Sequence, residues 1–147
     1  MTDPMVDLAL RLGIVAAAGA AVSLFALGSR VWRERRRHVA LLSRPTPELT
    51  RGEPTVLLFS GALCADCTQQ KAILVDIRQG LGGGWRLREV QAAAELPLAR
   101  RFGVESVPAT VVLDSAGRPA AVNYGLVDGD TLSRQLAALL SKVAQAS

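Results

Sequence analysis

Histidine is almost missing from this 147-residue chain, and cysteine occurs only twice. With His38 as the single imidazole, a zinc site built on the two cysteines lacks its remaining usual ligands. Two cysteines are also too few for the disulfide framework that staples small secreted domains. Aromatic residues make up only 4% of the chain. Its basic residues therefore have no stacking partners of the kind a nucleic-acid surface uses, and no nucleic-acid partner is expected. There is no flavin or nucleotide fingerprint, so neither kind of cofactor is expected. No internal repeat is present, and no low-complexity tract beyond an alanine-rich stretch near the start.

The apolar content is front-loaded. Leu12 to Ser29 is 18 residues without a charge, and at 1.5 Å per residue it approaches a bilayer core of roughly 30 Å. A buried soluble helix and a cleaved signal peptide are the alternatives to an uncleaved anchor. The acidic start, Asp3 and Asp7, argues against a signal peptide. Arg30, Arg33, Arg35, Arg36 and Arg37 follow the apolar run against a single opposing Glu34. Positive flanks stay in the cytoplasm, so the N-terminus is expected outside and everything after Arg30 inside. Trp32 falls where an interfacial indole belongs. Gly13, Ala17 and Ala21 share a helix face, a weak packing signal.

The formal charge of +4 divides unevenly: residues 1–53 hold eight Arg against five acids, while residues 54–147 hold nine bases against eight acids. The excess is juxtamembrane and suits anionic lipid headgroups. His38, closing that run, reads as solvated surface. The expected organisation is an N-terminal segment and transmembrane helix over 1–29, a basic juxtamembrane segment and proline-containing linker over 30–53, and a folded domain over 54–147. Pro45, Pro47 and Gly52 make Val39 to Glu53 a semi-rigid spacer, with a turn of helix or a short strand over Val39 to Leu42.

Within the domain, Thr55 to Phe59 is a continuous apolar run, the pattern of a strand buried on both faces. Cys64-Ala65-Asp66-Cys67 follows it directly. Cysteines so spaced can close a small ring and reopen it, which is electron-transfer chemistry. Ile73, Leu74, Ile77 and Leu81 recur at helical spacing, and Gly82-Gly83-Gly84 ends that helix. Trp85 to Val90 reads as a second strand, Leu96 to Phe102 as a short helix, and Thr110 to Leu113 as a third strand. A turn over Ser115 to Arg118 leads to a fourth strand, Ala120 to Tyr124. Asp128 or Asp130 then caps a last helix with an apolar stripe through Leu132, Leu136 and Val143. The order βαβαββα calls for a parallel first pair, an antiparallel closing hairpin and helices on both faces of a mixed sheet.

Over roughly Glu53 to Ala144 the chain resembles the thioredoxin superfamily. The resemblance rests on Cys64-Ala65-Asp66-Cys67 at a strand-to-helix junction, on Val107-Pro108-Ala109-Thr110 matching the family's cis-proline loop, and on Gly117 and Gly125. It implies a thioredoxin-like α/β sandwich behind the anchor. It also implies a Cys64 thiolate, favoured by the helix N-terminus, that attacks a substrate disulfide, and a shielded Cys67 that resolves the mixed disulfide. Val107 and Pro108 would dock an extended substrate strand. No cofactor beyond the Cys64–Cys67 disulfide, and no metal, is implied.

Several positions depart from the family. Leu63 replaces its tryptophan, Leu58 its buried acid, and Ala65-Asp66 its Gly-Pro. Asp66 should raise the thiolate pKa, with water screening the effect. Glu89 falls near the family's second-strand lysine. It is expected as a surface charge; if it reaches the pocket it is the candidate proton acceptor. The function expected is a membrane-anchored thiol–disulfide oxidoreductase that reduces protein or small-thiol disulfides, fed by an unidentified electron donor. A non-catalytic redox-sensing or interaction module and an outward-facing oxidoreductase are the alternatives.

Overall fold

The uncharged run propagates as helix in the computed structural model. The model describes residues 4–41 and 44–145, and in the first helix not the side chains of 4–11, 32–33 and 35–41. The readings of Trp32, His38 and four of the clustered arginines therefore concern side chains outside the described residues. Helix α1 (Pro4–Leu41) passes through the basic cluster without a break. Leu12–Val31 is long and apolar enough to cross a membrane, with mean hydropathy 2.0 and none of it buried. Its two serines return their hydroxyls to their own helix, Ser23 to the Gly19 carbonyl and Ser29 to that of Ala26, both at 2.9 Å. That satisfies donors which hydrocarbon could not.

The chain divides into two units between Arg36 and Arg37. The second unit contains α2 (Pro47–Thr50), β1 (Thr55–Ser60), α3 (Ala65–Leu81), β2 (Arg86–Gln91), α4 (Leu96–Arg101), β3 (Ala109–Leu113), β4 (Pro119–Tyr124) and α5 (Gly129–Gln145). The sheet order is β2-β1-β3-β4, with β1 and β2 parallel and the other pairs antiparallel. Every residue of β1 is buried, because two apolar layers meet on it. Val56 and Leu58 face Leu74 and Ile77 of α3 and Leu132, Leu136 and Leu139 of α5. Leu57 and Phe59 face Ala99 of α4, Phe102 and Val104. Strand and helix limits differ from the sequence expectation by a residue or two. Trp85, expected as the first residue of β2, precedes that strand and is buried in the α3–α5 layer.

The spacer reading of the linker is corrected. Thr46 and Thr50 are buried; Thr46 is the N-cap of α2 and Thr50 its last residue. The Thr46 backbone N–H and hydroxyl both donate to the Gly117 carbonyl, at 2.9 and 3.1 Å, and the Thr50 hydroxyl donates to Ser115 at 3.0 Å. Proline at the first helical position is compatible with a helix start, and Leu49 packs against the α4-side core. Residues 44–53 thus belong to the folded unit, fastened to the β3–β4 turn. That turn lies beside Thr55, at the opposite end of β1 from the cysteines.

Candidate active site

Parallel pairing of β1 and β2 brings Ser60 opposite Gln91 and Leu58 opposite Glu89. Paired residues of a parallel ladder share a face, so one row on the α3 side runs from apolar Leu58 to polar Ser60, with Glu89 and Gln91 alongside. Gly61 to Leu63 then turn the chain into α3. Leu63 makes the turn in the left-handed region, φ 55, and its side chain is fully exposed. Cys64 is the helix N-cap, and its Sγ accepts the Cys67 backbone N–H at 3.2 Å. The two cysteines are joined in a disulfide with their Cα atoms 5.2 Å apart. Cys64 is half-buried, whereas Cys67, one turn along, is only 5% exposed. An N-cap sulfur receiving backbone N–H is in the position where a thiolate is favoured. Asp66 is exposed in the first turn of α3.

The disulfide opens into a cleft of about 560 Å³, lined also by Ser60, Gly61, Leu63, Thr68, Lys71 and Glu89. A more apolar groove of about 290 Å³ adjoins it through the shared Ser60 and Gly61, with Ala92, Leu96 and Val107 among its walls. The Val107–Pro108 peptide is cis, and the Pro108 carbonyl accepts the Gly125 N–H at 2.9 Å. A Cβ on Gly61 would stand 3.1 Å from Val107 Cγ2, so the proline loop closes against the segment leading into the cysteines. Among the described residues, no cluster of three or more His, Cys, Asp or Glu could hold a metal ion.

Glu89 enters the cleft. Its Oε2 accepts from Lys71 Nζ at 2.7 Å, and its Oε1 from the Ser60 hydroxyl at 2.9 Å; Gln91 Nε2 in turn donates to Ser60 Oγ at 3.0 Å. The Lys71 bond first and the Ser60 bond second hold its carboxyl below the usual 4.5, against a smaller opposing effect of burial. Such a group is a weak base. Taking a proton from a thiol of ordinary pKa about 8.5 would be uphill by at least about 5 kcal/mol. Glu89 is therefore better suited to remain an anion than to serve as the acid missing from Leu58, which is fully buried. Sequence reasoning missed Ser60, Lys71 and Gln91. Lys71 carried a usable signal, standing four residues after Cys67 on the same helix and so on the same face.

No family model matches the sequence. Uncharacterised proteins of Mycobacterium tuberculosis and Mycobacterium bovis are 34% identical over 91 residues, which is 62% of this chain. The chain spans only 30% of the length of these curated relatives. Among solved structures, thioredoxin-2, described as a component of malaria parasite protein secretion machinery, is 25% identical. It superposes with a TM-score of 0.52 over 57% of this chain and 81% of its own. A mutant thioredoxin of Halobacterium salinarum is 18% identical, with a TM-score of 0.55 over 62% and 78%. The germline-specific thioredoxin Deadhead of Drosophila melanogaster is 22% identical, with a TM-score of 0.54 over 63% and 86%. The second unit is thioredoxin-like in fold.

Proposed function

We propose that this thioredoxin-like chain is a membrane-anchored thiol–disulfide oxidoreductase that reduces protein disulfides, with Cys64 as nucleophile and Cys67 as resolving thiol. The observation that carries this reading is the asymmetry of the pair. Both cysteines border the cleft, but Cys64 caps α3 and is half-buried, while Cys67, one turn along, is only 5% exposed. In the reduced protein, the Cys64 thiolate attacks one sulfur of a substrate disulfide, forming a mixed disulfide and expelling one substrate thiolate. Cys67 loses its proton to solvent and attacks Cys64 Sγ, which re-forms the Cys64–Cys67 bond and expels the second substrate thiolate. Two electrons pass to the substrate, and a dithiol protein or small thiol restores them. Val107 and Pro108 are assigned to docking an extended substrate segment along the apolar groove.

The anchor assignment draws on Leu12–Val31, and the cytoplasmic orientation on the arginines after it. A reducing compartment keeps such a pair as a dithiol, which favours reduction over oxidation. Membrane lipids are the remaining partner.

Insulin reduction by the full chain in detergent, driven by dithiothreitol, tests the chemistry. Activity should vanish with Cys64→Ser, and Cys67→Ser should trap a mixed disulfide. Turnover surviving in Cys64→Ser would sink the assignment. Membrane-impermeant maleimide on intact cells tests the address, since labelling of Cys64 without permeabilisation would place the domain outside. Leu58 favours a second reading, a redox-sensing module with slow exchange, because among the described residues no buried acid is available to speed Cys67 deprotonation. That module would bind partners differently in its two redox states while leaving insulin intact.

A further inference from the structure

The exchange chemistry leaves two charges of the cleft unused. Lys71 and Glu89 are the charged side chains lining it, and they meet at 2.7 Å. Their tethering is unequal. Glu89 is fixed through its second oxygen to Ser60, which Gln91 holds in turn. Lys71 hangs on a flexible four-carbon stem, its side chain 53% exposed, and among the described residues its ammonium is held by Glu89. Lys71 stands on the cysteine-bearing helix, whereas Glu89 approaches from β2.

We propose that Lys71 is a positioning residue for the Cys64 thiolate, shared between that sulfur and Glu89, and that Glu89 sets how much of the ammonium charge the sulfur feels. The proposal rests on the exchange chemistry above. In the disulfide neither sulfur is charged, and Glu89 has Lys71 to itself. A dithiol delivers two electrons and breaks the S–S bond. The products are a Cys64 thiolate, a Cys67 thiol, the oxidised donor and one released proton. The cleft then holds two anions and one ammonium. The mobile partner redistributes between them, because an ammonium is a point charge with three rotatable donors and needs no fixed geometry. Beyond the cleft lining, Asp66 stands in the first turn of α3 and Glu105 lines the adjoining groove. Both are acids, and among the residues that line the cleft with Cys64 the positive side chain is Lys71.

The two charges therefore act on Cys64 with opposite sign. Glu89→Gln removes a like charge and releases the ammonium, both of which favour the thiolate. Lys71→Met leaves Glu89 unopposed and disfavours it. The experiment is the pH dependence of iodoacetamide alkylation of Cys64 in the full-length protein in detergent, in a Cys67→Ser background so that one sulfur reports. Below the thiol pKa the rate should rise roughly two- to tenfold in Glu89→Gln and fall by a similar factor in Lys71→Met, as shifts of up to about one pKa unit give. Lys71→Arg should stay close to the parent, and the double variant should fall between the two singles. Shifts of the same sign, or none, would overturn the proposal, since a purely structural role for the pair moves both variants alike. The readout does not depend on turnover. Absence of insulin reduction in the parent would sink the oxidoreductase reading and leave this titration intact.

Discussion

Glu89 occupies a strand position where an ordinary surface acid would be unremarkable, and its neighbours change what it does. Its bonds to Lys71 and Ser60 lower its pKa in the folded state below the value of 4.5 it has when free. Stability from a depressed carboxyl is fully present above the unfolded value and is lost as pH falls through the folded one. Urea titrations should therefore show an acid-induced loss below about pH 4.5 that is shallower in Glu89→Gln; equal slopes in the two proteins would contradict the bonding described. Gly117 is a different kind of residue-level constraint. It has φ 77, and a Cβ there would overlap the Thr46 carbonyl group. Gly117→Ala should lose about 2–4 kcal/mol of unfolding free energy, from left-handed strain together with displacement of the strap. Cys64, Cys67 and Pro108 were legible in the sequence because a motif of fixed spacing carries them. The bonds of Ser60 and Lys71 to Glu89 were not, because they span 29 and 18 residues; helical spacing from Cys67 could place Lys71 on the cysteine face but could not name its partner.

Among the elements, the strands and long helices were readable because burial imposes a period on them. A run buried on both faces gave β1, and helical spacing gave α3 and α5. The linker was misread for a local reason. Residues before proline avoid the helical region, so Arg-Pro-Thr-Pro suggests an extended spacer. What overrides that preference is tertiary: two threonine hydroxyls reaching the β3–β4 turn, and Leu49 reaching the core. Thr46→Val, which keeps the shape and removes one buried hydroxyl bond, should lower stability by about 0.5–1.5 kcal/mol in chemical denaturation. A second tertiary bond joins α3 to the segment before α5. The fully buried Gln70 amide donates to the Val127 carbonyl at 3.1 Å and accepts its N–H at 2.7 Å. Gln70→Leu would leave both backbone groups unpaired, and a loss of about 2–4 kcal/mol is expected. Hydrogen exchange should speed up at Val127 before it does in the sheet.

For the whole molecule, the distribution of charge and hydropathy mattered more than their totals. Most of the net basicity lies in the first 53 residues, and among the described residues the one strongly apolar helix precedes their arginine cluster. The full chain should stay in the membrane fraction through an alkaline carbonate wash and enter solution only with detergent. Release by carbonate would argue against a spanning Leu12–Val31. The Thr46–Gly117 strap bears on the mechanics of such a chain. Tension arriving along the polypeptide from the N-terminal side loads first the Arg101 bond to the Arg44 carbonyl, at 2.6 Å, and then Thr46. There it loads a few hydrogen bonds to a hairpin turn before reaching β1. Together with the Arg101 bond the strap would act as a sacrificial fuse, peeling before β1 is loaded, at the end of that strand away from the disulfide.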